Sequence, residues 1–118
     1  MTRRDDMLVV AERLVADELA ARVGPGRLRA YSDPYDALGA MRDRCWATVL
    51  LTASQMDLDG LCRAVRRLQR DARVLVLCTP AGEPCVRPLK GKTIDDYFIY
   101  PLMESDWEAL SAEGSRTG

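Results

Sequence analysis

Short apolar runs alternating with stretches of helical periodicity constrain this chain more than any other feature. Met7 to Ala11, Trp46 to Leu51, Val74 to Cys78 and Tyr97 to Tyr100 are runs of strand length, and Leu28 to Tyr31 is a further candidate strand. Between them, Glu12 to Val23 places Leu14, Val15, Leu19, Ala20 and Val23 at helical spacing, and a second helix ending near Arg44 carries Ala37, Leu38 and Met41. A third helix from Gly60 to about Arg70 turns Leu61, Ala64, Val65 and Leu68 inward, and Glu104 to Ser111 forms a short last helix. Strands that alternate with helices form a parallel sheet, because right-handed crossovers return each helix over a sheet face. The expected architecture is a three-layer α/β sandwich, a five-stranded parallel sheet with helices on both faces.

The boundaries carry their own signals. Gly24-Pro25-Gly26 stops the first helix, Asp33 is a candidate N-cap with Pro34 at the first helical position, and Thr52 to Asp59 is a polar loop. Pro80, Pro84 and Pro88 crowd the segment before the last strand, so any helix there is short or broken. At 118 residues the chain has the size of one domain, with a core over 7–111 and 112–118 expected as a flexible tail or linker.

Composition removes several function classes. Seventeen basic against eighteen acidic residues give a net charge of -1, which offers no field to attract nucleic acid or an anionic membrane. The longest apolar run is far short of a membrane span and no signal-peptide core follows Met1, so a cytoplasmic location is expected. The absence of histidine excludes histidine phosphotransfer and the Ser-His-Asp and Cys-His forms of catalysis. Cys45, Cys62, Cys78 and Cys85 form no C-x-x-C pair and read as small core residues, so no structural metal is expected. Arg63, Arg66, Arg67 and Arg70 read as a solvated face of the third helix.

Open parallel sheets bind ligands beyond the carboxyl ends of their strands, which directs attention to Ala11, Glu12, Thr52, Cys78 and Tyr100. The segments around them resemble the receiver domain of two-component response regulators, from Met7 to about Leu110. Val49-Leu-Leu-Thr-Ala-Ser-Gln-Met-Asp-Leu-Asp-Gly60 is similar to the receiver strand that ends in the phospho-accepting aspartate and is followed by a Met-Asp-Gly turn; Thr52 falls on the aspartate. Ile94-Asp-Asp-Tyr-Phe-Ile-Tyr-Pro-Leu102 resembles the family's Ala-Asp-Asp-Tyr-Leu-x-Lys-Pro-Phe, with Tyr100 on the lysine that precedes a cis proline and Tyr97 on the switch aromatic. Cys78, or Thr79 with a one-residue slip, takes the place of the family's threonine or serine, and Ala11-Glu12 stands where the magnesium-binding acidic pair would be. The resemblance implies a flavodoxin-like sheet with strand order 2-1-3-4-5.

It also implies lost chemistry. Receiver phosphorylation needs a carboxylate nucleophile, a divalent cation and a lysine to pair with the product. Thr52 forms no acyl phosphate, Glu12 alone holds magnesium weakly, and Tyr100 brings no positive charge; its ring could instead fill the emptied pocket. The expectation is a non-enzymatic receiver-like signalling module without cofactor that acts through a protein partner, with Tyr97, Met103 and Trp107 on its switch or partner face and the last helix as a candidate homodimer surface. Two alternatives stand beside it: a working receiver whose acceptor has moved to Asp57 or Asp59, and a thiol sensor using Cys78.

Overall fold

In the computed structural model, residues 7–52 and 57–111 are described; the tail at 112–118 and Met56 of the Met-Asp-Gly turn lie outside them. Strand β1 (Met7–Val10) has all four residues buried, because β2 (Leu28–Tyr31) pairs along one side and β3 (Thr48–Thr52) along the other. Strand β4 (Arg73–Cys78) follows β3, and β5 (Asp96–Ile99) closes the row. Every pairing is parallel and the order is β2-β1-β3-β4-β5, as the receiver resemblance implies.

Successive strand residues point to opposite faces, so the sheet divides the core in two. Leu8, Val10, Val49, Leu51, Val74 and Val76 pack with helices α2 (Pro34–Asp43) and α3 (Leu58–Leu68), through Ala37, Met41, Leu61 and Val65. Met7, Val9, Leu50, Leu75 and Leu77 pack on the other face with α1 (Arg13–Val23) and α5 (Glu104–Ser111), through Ala16, Leu19, Trp107 and Leu110. Asp33 caps α2, its Oδ1 accepting the Tyr35 N–H at 2.9 Å. Gly24 ends α1 at φ 113°, a conformation that favours glycine, and its N–H reaches the Ala20 carbonyl. The proline-rich segment yields only one helical turn, α4 (Glu83–Val86), followed by a 3₁₀ turn over Arg87–Leu89.

Some residues face the other way from the sequence expectation. Leu14 is 81% exposed, and Leu68 lies at the surface while Gln69, the next residue, is 3% exposed. Gln69 Oε1 accepts the Trp46 N–H at 2.7 Å, and its Nε2 donates to the carbonyls of Met41 at 2.7 Å and Arg44 at 2.8 Å. One side chain thereby satisfies the end of α2 and the approach to β3 together. Arg66 is not simply solvated: it donates to the Ala72 and Thr93 carbonyls and pairs with Asp95 at 3.1 Å. Cys62 and Cys78 are core residues, whereas Cys45 and Cys85 are exposed, since one follows α2 and the other sits on the single turn of α4. No helix among the described residues is long and apolar enough to cross a membrane.

Candidate functional site at the carboxyl edge

Because the strands are parallel, their carboxyl ends share one edge, and a cavity of about 450 Å³ opens there. Ala11, Glu12, Thr52, Cys78 and Tyr100, five residues from four separate segments, all line it. Val10, Val15, Leu61 and Leu77 give it an apolar floor, and Ser32 contributes from the loop before α2 and Pro34 from the first position of that helix.

Each of these positions has a definite local role. Thr52, the last residue of β3, donates its hydroxyl proton to the Val10 carbonyl at 2.9 Å, which closes the end of the β1–β3 ladder. Ala11 presents a buried methyl group, and its N–H is bound to the Tyr31 carbonyl. Glu12 is exposed at the N-cap position of α1 and makes no side-chain capping bond there. Cys78 is 2% exposed, and burial first, then the Glu83 charge, push its thiol above the ordinary range. Thr79 also lines the cavity, so both candidates for the receiver threonine are at the site; its hydroxyl oxygen accepts the Gly82 N–H at 3.2 Å.

Tyr100 precedes a cis proline, and its N–H donates to the Cys78 carbonyl. Its ring forms a wall of the cavity and leaves the space open, because the hydroxyl is drawn 2.6 Å from Glu18 Oε1 on α1. That hydrogen bond, with desolvation and the charges of Glu18 and Glu12 after it, raises the phenol pKa. Among the described residues no cluster of three or more acidic or thiol side chains could hold a metal ion.

Asp57 and Asp59 are placed differently. Asp57 caps α3, its Oδ1 accepting the Gly60 N–H at 3.1 Å, and Asp59 pairs with Arg63 at 3.3 Å. The cap explains the glycine: a Cβ at position 60 would lie 2.5 Å from Asp57 Oδ2. Neither carboxylate lines the cavity.

Tyr97 lies half-buried on β5, packed against the α2/α3 face of the core. Its hydroxyl donates to Glu83 Oε2 at 2.5 Å, and Arg87 Nε donates to the same oxygen at 2.8 Å while its Nη2 pairs with Oε1. The Arg87 hydrogen bond first, then that of Tyr97, lowers the Glu83 carboxyl to about 2. Sequence reading missed Glu83; the signal for it was the Glu-Arg pair one helical turn apart in 83–87. Trp107, expected on a partner face, is instead a core residue, 7% exposed, with the Arg22 guanidinium 4.7 Å over its ring. Of Met103, Trp107 and Leu110, Met103 is open to solvent, while Trp107 and Leu110 pack with α1 in the core.

No family model matches the sequence, and no curated protein matches it. Solved structures do match in shape. An adenylate cyclase from Rhodopirellula baltica shares 12% identity at a TM-score of 0.81, over 93% of this chain and 86% of that one. The BeF3-activated DrrB receiver domain shares 17% identity at a TM-score of 0.71, over 90% and 89%. A streptococcal redox sensor evolved from two-component response regulators shares 15% identity at a TM-score of 0.77, over 92% of this chain and 51% of that one. At these identities the likeness is one of fold, and the fold is that of a receiver domain.

Proposed function

We propose that this receiver-fold chain is a signalling module of the two-component type that works without phosphorylation and without enzymatic activity, by binding a protein partner in the cytoplasm. The observation that carries the reading is Thr52: the acceptor position holds a hydroxyl in place of a carboxylate, and its proton is already given to the Val10 carbonyl. The rest of the edge agrees in chemistry. Tyr100 stands in the lysine position with its hydroxyl on Glu18, and among the described residues Glu12 is the single carboxylate lining the cavity. The switch aromatic Tyr97 is tied to Glu83 and Arg87 on the neighbouring turn, which favours one fixed arrangement of that face. Ile99 and Met103, both exposed at the end of β5 and just beyond it, give the partner an apolar foothold.

The thiol reading is weaker, since a buried Cys78 with a raised pKa carries little thiolate. Treatment with acetyl phosphate and magnesium followed by peptide mass mapping tests the proposal. The expected result is an unmodified chain. An acyl phosphate on Asp57, Asp59 or any other residue would overturn it.

A further inference from the structure

A receiver site that has lost its charges but kept its cavity still has a shape and a polarity. The volume of about 450 Å³ falls within the roughly 300–1,000 Å³ usual for small-ligand sites, and the floor of Val10, Val15, Leu61 and Leu77 is apolar. Three of the groups at this edge have already committed their protons. Thr52 has given its proton to Val10, Tyr100 has given its proton to Glu18, and the Ala11 N–H is bound to Tyr31, so what these groups still offer is oxygen lone pairs or nothing.

The charge has the same sense. Glu12 lines the cavity, Glu18 lies directly behind the Tyr100 hydroxyl, and no lysine or arginine among the described residues lines it. An anion would meet the Glu12 carboxylate with no basic side chain among the described lining residues to offset it. A cation with N–H groups would meet acceptors, one full negative charge and an aromatic wall whose face attracts positive charge.

We infer that this cavity is a binding site for a small organic ammonium compound, an apolar body carrying one amine, in place of magnesium and a phosphoryl group. The inference rests on the phosphorylation-independent reading and deepens it, because a ligand seated between α1, β3 and β5 touches Thr52 and Tyr100, the positions through which a receiver would respond. Glu12 supplies the charge, and its carboxylate is not spent on capping α1.

Amide NMR titrations of the whole chain with benzylamine, with benzoate of the same shape and opposite charge, and with magnesium plus beryllofluoride test it. Benzylamine should shift the amides of Ala11, Thr52, Leu61 and Cys78 saturably, benzoate should not, and Glu12→Gln should weaken benzylamine about threefold to fivefold, as for a solvent-facing ion pair. Equal responses to benzylamine and benzoate, no saturation by benzylamine at about 10 mM, or an unchanged affinity in Glu12→Gln would overturn the ammonium site and leave the signalling proposal standing. Saturable shifts with magnesium and beryllofluoride would overturn the signalling proposal and this inference with it.

Discussion

The two edges of the sheet are built on opposite plans. At the amino edge, polar side chains tie several segments together: Gln69 holds the Met41 and Arg44 carbonyls and the Trp46 N–H, Arg66 spans two carbonyls and Asp95, and Asp95 also accepts the Val74 N–H at 2.8 Å. Arg73, at the start of β4, reaches the Ala109 and Leu110 carbonyls at the end of α5. At the carboxyl edge the polar groups stand singly around an open cavity, and Thr52 and Tyr100 each make one side-chain hydrogen bond. In a working receiver the carboxyl edge needs concentrated charge to hold a metal and a phosphoryl group. Here the dense polar network lies on the opposite edge, where it joins elements together. The polar groups of one edge therefore bear on stability, and those of the other, on the proposed reading, bear on what can bind.

That contrast predicts unequal costs for similar losses. Gln69→Leu removes three hydrogen bonds and leaves the Met41 and Arg44 carbonyls and the Trp46 N–H facing an apolar side chain, where water has little access. Urea unfolding should show a loss of about 3 kcal/mol. A loss under about 0.5 kcal/mol would mean that the amino edge is as loosely built as the other, since that is the range of an ordinary surface substitution. Asp95→Ala should follow at about 2 kcal/mol, because it strips a charged acceptor from both Val74 N–H and Arg66 while the other contacts of Arg66 remain.

At the carboxyl edge the matching experiment is Thr52→Val, nearly equal in volume and lacking the hydroxyl. The Val10 carbonyl then loses its side-chain partner, but it borders a cavity that water can enter, so the loss should be under about 1 kcal/mol. The same denaturation measurement sharpens the comparison directly. A cost equal to that of Gln69→Leu would make Thr52 a structural linchpin and remove the reason for assigning its edge to binding.

Most of the framework was legible because strand runs and caps are local. The Asp33-Pro34 start of α2 and the Glu104–Ser111 span of α5 follow from neighbouring residues alone. The errors arose where a longer-range contact decided. Leu14 joins the apolar list of α1, yet at helical pitch it lies about 140° from Leu19, and the sheet covers only the stripe through Ala16 and Leu19. Leu68 is in phase with Leu61, but the chain leaves the helix at Gln69, whose amide turns in to meet Met41, Arg44 and Trp46. Helix α3 starts two residues earlier than the glycine suggested, because Asp57 caps it across the space that Gly60 leaves. The carboxyl-edge positions were found through alternation and resemblance, and the Tyr97–Glu83–Arg87 contact was not, since it joins two elements whose approach no local pattern encodes.

This last contact gives the smallest effect and the most specific one. The Glu83 carboxyl is held at about 2, below the roughly 4.3 of a free glutamate. A depressed folded value means that its contribution is complete above the unfolded pKa and is lost as pH falls from there through about 2. Glu83→Gln keeps an acceptor for Arg87 and Tyr97, so near pH 7 the stability change should be less than that of Thr52→Val. Between about pH 4.5 and 2, the wild-type thermal midpoint should fall more steeply than that of the variant, because only the wild type must protonate this group. Parallel curves across that interval would mean that Glu83 is not engaged by Arg87 and Tyr97 in solution. The β5 face would then be free to switch, and the contrast between a fixed scaffold and an open carboxyl edge would no longer extend to Tyr97.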